Sequence, residues 1–144
     1  MQVENQKDYE EFMGTTNETR QVVQKAIDAI NSEDNEAFIS CFSDDFEFWM
    51  PGTTPVSGRT KGIAEFAGLV TKVADYLDEM IKIKVTNFIV SGEWAVSEAT
   101  GHGVTKKGKD YNNCYCHLWK VQDGKIIKFI EYNDTELIMR VLVS

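Results

Sequence analysis

IKIKVTNFIV (81–90), EWAVSEATGHGV (93–104), DYNNCYCHLWKV (110–121) and KIIKFIEYN (125–133) follow one another with little between them but turn residues. Each segment is rich in β-branched and aromatic residues, and the breaks read Ser91-Gly92, Lys107-Gly108 and Asp123-Gly124. Glycine supplies the positive φ that tight hairpins need, so the four segments are predicted to form an antiparallel meander.

Upstream the apolar period is helical. From Tyr9 to Ile30, residues such as Val22, Val23, Ala26, Ile27 and Ile30 recur at three- and four-residue spacings, which predicts a long amphipathic helix. Asn31-Ser32-Glu33-Asp34 supplies turn and cap residues before a second short helix carrying Ala37, Phe38, Cys41 and Phe42. Phe46, Phe48 and Met50 then alternate with Asp45, Glu47 and Trp49 up to Pro51-Gly52, the pattern of a short strand followed by a loop through Gly58. A third helix capped by Thr60 is expected from about Lys61 to Met80, and a terminal helix, TELIMRVL, after Asn133 or Asp134. Strands gathered after helices predict an α+β domain, its antiparallel sheet folded over the helices.

A chain of 144 residues buries roughly 70% of its unfolded surface in one core, so residues 1–144 are read as a single domain. Apolar residues make up 42% and charged ones 26%, the composition of a globular chain. A formal charge of -8 repels phosphate backbones and anionic membranes, which argues against nucleic acid and membrane partners. The stretch MQVENQKDYEEF lacks the basic and apolar pattern of a secretory signal, and no apolar run approaches the roughly 20 residues of a membrane span. A cytoplasmic protein is expected. Cys41, Cys114 and Cys116 are odd in number, and side chains at i and i+2 of a strand diverge, so three reduced thiols are expected. Cys114, Cys116 and His117 lack the second ligand group that a metal site needs, and neither metal nor cofactor is implied.

Four stretches together resemble the SnoaL-like branch of the nuclear transport factor 2 fold: AINSEDNEAFISCFSDDFEF, the Pro51-Gly52 to Gly58 loop, GIAEF, and WKVQDGKIIKFIEYND. The resemblance covers nearly the whole chain. It implies a cone-shaped α+β barrel of the cystatin-like kind, a curved antiparallel sheet wrapped over a helix hairpin and a third helix. It further implies an internal apolar pocket and a homodimer built on the convex face. That family includes ketosteroid isomerase, polyketide cyclases, an epoxide hydrolase, dehydratases and members without catalysis, so chemistry must come from the pocket residues.

Those residues depart from two of the family's known sites. The general base of ketosteroid isomerase aligns with Met50 and its oxyanion Tyr with Ala26, while His117 stands where its second Asp falls. The Arg and Asp of the epoxide hydrolase align with Ala99 and Gly101, and only Glu131 has an acidic counterpart.

What remains depends on the hairpin at Asp123-Gly124. A three-residue turn pairs Trp119 with Ile127, His117 with Phe129 and Tyr115 with Glu131, whereas a two-residue turn pairs Tyr115 with Tyr132 and sends Glu131 to the other face. The first groups the aromatic residues and makes His117 and Glu131 diagonal neighbours, a candidate acid/base pair with Tyr115 as hydrogen-bond donor. Trp49, Phe66, Trp119 and Phe129 are the candidate pocket lining. Read this way, the chain binds a small apolar organic molecule and transfers a proton on it, as an isomerase, cyclase or dehydratase does; the rival reading is a non-catalytic ligand-binding or dimerisation module. Leu118, Ile126 and Ile130, with part of VTNFIV, are expected on the convex face, where a second copy would cover them.

Overall fold

A computed structural model describes residues 4–144, so the first three residues of the amino-terminal stretch lie outside the described residues. Helix α1 (Gln6–Ser32) starts where the Asn5 side chain accepts the Asp8 N–H at 3.0 Å, and stops at Glu33, which takes a left-handed conformation with φ 55°. Asp34 caps α2 (Asn35–Ser40) in the same way, through the Ala37 N–H. Strand β1 (Phe42–Met50) pairs with the short β2 (Gly58–Lys61), and α3 (Gly62–Ala74) follows. The meander comprises β3 (Leu77–Ser91), β4 (Trp94–Thr105), β5 (Asp110–Tyr111), β6 (Cys114–Gln122) and β7 (Lys125–Asn133). A short helical tail, α4 (Thr135–Leu137) running into a π-helical turn at Ile138–Leu142, closes the chain.

These strands form one curved sheet in the order β2-β1-β7-β6-β4-β3, with β5 on β4. The architecture is α+β, as expected, but the sheet is mixed and does not close: β1 runs parallel to β7, and β2 and β3 are its edges. Parallel strands need a long connection, and here everything from α3 to β6 lies between the two.

Several boundaries differ from the predicted ones. Strand β1 begins at Phe42 rather than Asp45, which takes Phe42 out of the second helix, and the loop before the third helix contains β2. Helix α3 ends at Ala74, and Leu77–Met80 belong to β3. Its N-cap is Lys61, whose N–H is bonded by Glu65 Oε1, rather than Thr60.

Polar clamps tie α1 to the sheet. Thr19 Oγ1 donates to the Gly92 carbonyl at 2.7 Å and Thr16 Oγ1 accepts the Gly92 N–H, which pins the β3–β4 hairpin. Asn31 exchanges two hydrogen bonds with the backbone of Ile83, covering part of the β3 edge with a side-chain amide. Between the helices and the concave sheet lies an apolar cluster centred on phenylalanines, in which Phe66 of α3 meets Phe48 and Phe46 at 5.0 and 5.4 Å between ring centres.

Candidate functional site

The Asp123-Gly124 hairpin decides what faces the interior. Gln122 pairs with Lys125, so the turn has two residues, both at positive φ. A bulge at Ile127 then lies between the pairs Val121–Ile126 and Lys120–Lys128. The turn is the one that would send Glu131 outward; the bulge adds one residue and turns it back in. The outcome differs from both registers considered: His117 pairs directly with Glu131, Trp119 with Phe129 and Tyr115 with Asn133. The two-residue turn also pairs Ile126 with the inward-facing Val121, so Ile126 lies fully buried in the core rather than on the convex face.

His117 and Glu131 therefore meet side by side, with Nε2 and Oε1 2.9 Å apart. The imidazole is buried, and the carboxylate keeps 21% of its side chain in contact with solvent. Glu131 Oε2 accepts from Asn133 Nδ2 at 3.1 Å, and the same amide approaches Met50 Sδ at 3.2 Å. Tyr115 stacks on His117 with ring centres 5.4 Å apart and planes 13° from parallel. Phe129 and Trp119 flank the imidazole at 5.2 and 5.7 Å.

Among the described residues, His117 Nδ1, Tyr115 Oη and Asn133 Oδ1 are buried without any partner, and two of these three residues form a cross-strand pair. A buried polar atom left unpaired costs about 1–3 kcal/mol, so gathering three of them at one place is expensive for a purely structural core. With the proton of the imidazole on Nε2, His117 donates to Glu131 and presents a lone pair at Nδ1.

Burial, with the Tyr111 phenol and the Glu131 carboxylate nearby, pushes Tyr115 far above the usual phenol range. Burial likewise raises Tyr111 and the Cys41 thiol. Tyr115 thus remains a donor wherever the fold survives. The linkage has a definite sign: above roughly pH 10 the unfolded chain releases phenolic protons that the folded chain retains, so stability falls as pH rises. Each such tyrosine contributes a slope of up to about 1.4 kcal/mol per pH unit. Urea titrations between pH 9.5 and 11.5 should show that slope reduced by about one such increment in Tyr115→Phe; an unchanged slope would place the Tyr115 phenol in water.

The proposed lining residues separate into two groups. Trp119 and Phe129 stack on each other at 4.0 Å and 10°, fully inside, and Phe66 packs across from Phe129 at 6.4 Å. Trp49 does not join them. Strand alternation sends it to the outer face, where the Arg59 guanidinium lies 4.1 Å above its ring and Tyr132 stands 6.1 Å away. It lines a depression of about 320 Å³ there, with Arg59, Lys61 and Lys128. A second depression, about 580 Å³, lies along α1 and α2 between Arg20 and Ala37. Neither touches His117.

Sequence reasoning missed three supporting residues. Asn133 lies two positions beyond Glu131, so strand period alone places it on the same face. Ser97 accepts the Trp119 indole N–H at 3.0 Å, and a lone serine in a strand carries no local signal for that role. Asn113 is buried and binds Tyr111 Oη, the Cys114 N–H and both backbone groups of Asp134, which ties β5 to the end of β7; no local pattern announces it.

Comparison with known proteins follows the fold. The profile of the SnoaL-like domain matches residues 23–129. An NTF2-like protein of unknown function from Burkholderia pseudomallei superposes with TM-score 0.81 at 19% identity, covering 88% of this chain and 98% of that one. TerC, co-crystallised with polyporic acid, superposes with TM-score 0.80 at 20% identity over 88% and 99% of the two chains. An LEH-like epoxide hydrolase from M. tuberculosis gives TM-score 0.71 at 20% identity over 89% and 91%. At these identities the likeness is one of fold. No curated protein matches the chain by sequence.

Proposed function

We propose that this chain, which belongs to the SnoaL-like domain family, receives a small apolar organic molecule between its helices and concave sheet and transfers a proton on it. The observation that carries this reading is the buried His117 bonded through Nε2 to Glu131 at 2.9 Å while its Nδ1 has no partner. A C–H or O–H proton of the ligand moves to Nδ1, and the imidazolium that forms is balanced by the Glu131 carboxylate. Tyr115 donates a hydrogen bond to the ligand oxygen that gains charge and keeps its own proton. Return of the proton to another atom of the same molecule completes an isomerisation or ring closure, and its delivery to a departing hydroxyl completes a dehydration.

Helix α3 supports a ligand space. Its apolar residues Ile63, Phe66, Leu69 and Val73 are only partly covered, and Val70 is 39% exposed. A helix this apolar in a filled interior would bury that face completely. The epoxide-hydrolase chemistry of one relative does not transfer, because Ala99 and Gly101 stand where the family's Arg and Asp would be. The test is deuterium uptake: small cyclic ketones incubated with the protein in D₂O should label at the carbon next to the carbonyl, and His117→Ala should abolish the protein-dependent rate.

The non-catalytic alternative draws on one feature, the Trp119–Phe129 stack, which fills the middle of the concave face with side chains. It predicts ligand binding with no His117-dependent labelling. In either case a homodimer is proposed, since Ile89, Trp94 and Tyr132 are 56%, 38% and 42% exposed, with Leu118 and Ile130 half-buried beside them. Among the described residues no helix is long and apolar enough to cross a membrane. Sedimentation at micromolar concentration should give a species of twice the 16.4 kDa chain mass; a monomer would sink the dimer.

A further inference from the structure

The outer face of the sheet carries a separate group of side chains at the end remote from β3. Strand register sets Arg59, Trp49 and Ile130 in one row across β2, β1 and β7, and Lys61, Glu47 and Lys128 in the next. Alternation turns both rows outward, where they border the depression of about 320 Å³. The Arg59 guanidinium lies 4.1 Å from the centre of the Trp49 ring, and Tyr132, two residues beyond Ile130, meets that ring edge-on at 6.1 Å. The indole thus holds an arginine fork in place at the head of an apolar row.

Charge decides what that fork can take. Arg59, Lys61 and Lys128 share the lining with two carboxylates, Glu47 and Glu65, and Glu65 Oε1 already accepts the Lys61 N–H. Among the described residues no carboxylate comes within ion-pairing distance of any of the three cations. The depression is therefore locally positive on a chain of formal charge -8, and it attracts an anion that the rest of the surface repels. A planar guanidinium matches both oxygens of a carboxylate at once, which a lysine ammonium does not. A carboxylate held there directs the body that carries it along the row, over Ile130 and toward Tyr132, with Lys128 beside it. Neighbouring strands lie about 4.8 Å apart, so the step from Trp49 to Ile130 is about one ring wide.

We infer that this outer depression is a binding site for an aromatic carboxylate, with the carboxylate on Arg59 and the ring on Ile130 and the edge of Tyr132. The site is separate from the interior pair of His117 and Glu131 and does not depend on it. It lies at the β2–β1 end of the outer face, whereas the apolar row offered to a second copy continues from Ile130 through Leu118 and Val96 to Ile89 at the other edge. An arginine that merely braces the β1–β2 hairpin needs the indole alone. Two further lysines around the same depression add repulsion to such a brace, and a bound anion relieves it.

Benzoate, benzamide, benzylammonium, cyclohexanecarboxylate and inorganic phosphate, each titrated into ¹⁵N-labelled protein, test it through the Trp49 indole N–H and Arg59 Nε–H signals. Benzoate should shift both, binding about tenfold more tightly than benzamide or benzylammonium and about threefold more tightly than cyclohexanecarboxylate or phosphate. Arg59 is exposed, and Arg59→Lys keeps a cation beside the indole while losing the fork, so it spares the fold. It should bring benzoate to within about twofold of benzamide, read at Trp49. Lys128→Gln should weaken benzoate about threefold and leave benzamide unchanged. Benzamide, cyclohexanecarboxylate or phosphate binding as tightly as benzoate overturns the inference, as does benzoate binding undiminished in Arg59→Lys. Benzoate that leaves Trp49 unmoved, or shifts the His117 imidazole in its place, overturns it too. None of these outcomes bears on the His117-dependent deuterium uptake, so the two readings fail separately.

Discussion

Trp119→Ala should destabilise the protein by about 3–5 kcal/mol, the largest loss expected from any single truncation in the interior. Trp119 is fully buried, stacked on Phe129 at 4.0 Å, and its indole N–H is held by Ser97 Oγ at 3.0 Å. Removing the ring forfeits its transfer energy and opens a cavity between two strands whose backbones are hydrogen-bonded and cannot move in to fill it. The Ser97 hydroxyl, itself completely buried, would also lose its partner, which places the cost at the upper end of that range. Domains of this size have roughly 5–15 kcal/mol to lose, and each kcal/mol lowers Tm by about 2–4 °C, so a drop on the order of 10 °C or more follows. Trp119→Phe keeps a stacked ring and loses the hydrogen bond with the smaller part of the indole volume, and should cost less, about 1–3 kcal/mol. Urea unfolding of the three proteins checks the order. A Trp119→Ala loss below 1 kcal/mol would mean that the site walls collapse freely and do not hold His117 in place.

That wall was legible in the sequence because strand period and composition agree there. Tyr115, His117 and Trp119 alternate with Cys116, Leu118 and Lys120, and period two alone brings the first three to one face. The same reasoning already assigned Phe46, Phe48 and Met50 inward, which obliges Trp49 to point out; treating it as a pocket residue set its size above its parity. Short apolar segments misled for a different reason. Cys41-Phe42 and Leu77-Met80 follow helices without an intervening glycine or proline, and their spacing suits the end of a helix as well as the start of a strand. The β1–β7 pairing is invisible locally, since it joins residues more than eighty positions apart. The hairpin register shows the finest limit. Asp123-Gly124 correctly marked a turn, yet the extra residue sits three positions later at Ile127, in a run of apolar residues where nothing distinguishes a bulged position from a paired one. Two errors of one residue therefore cancelled in parity, which kept Glu131 on the inner face but moved it from a diagonal to a direct neighbour of His117.

Direct pairing makes the strongest functional expectation one of dependence between the two residues. General acid/base catalysis by a positioned side chain contributes typically 10²–10⁴ in rate, so His117→Gln should cost about that much in the deuterium-uptake assay. Glu131→Gln should cost a large part of the same factor without touching the reacting atom. The carboxylate accepts the Nε2 proton and so keeps Nδ1 free, and it balances the imidazolium once the proton has moved; an amide supplies no charge and has an N–H that competes for the other tautomer. Asn133 reinforces this by donating to Glu131 Oε2, which fixes the carboxylate plane. Because the two residues perform one step together, the double variant should be no slower than His117→Gln alone, and the logarithms of the two single losses should not add. Imidazole ¹⁵N spectra give the physical counterpart: His117 should carry its proton on Nε2 in the parent protein and should populate the Nδ1-protonated form in Glu131→Gln. Additive rate losses, or an unchanged tautomer in Glu131→Gln, would show that the 2.9 Å contact is a structural ion pair and that the acid/base role lies elsewhere. Both readouts are needed, because a stabilising contact alone would alter folding energy while leaving the position of the imidazole proton indifferent to the charge beside it.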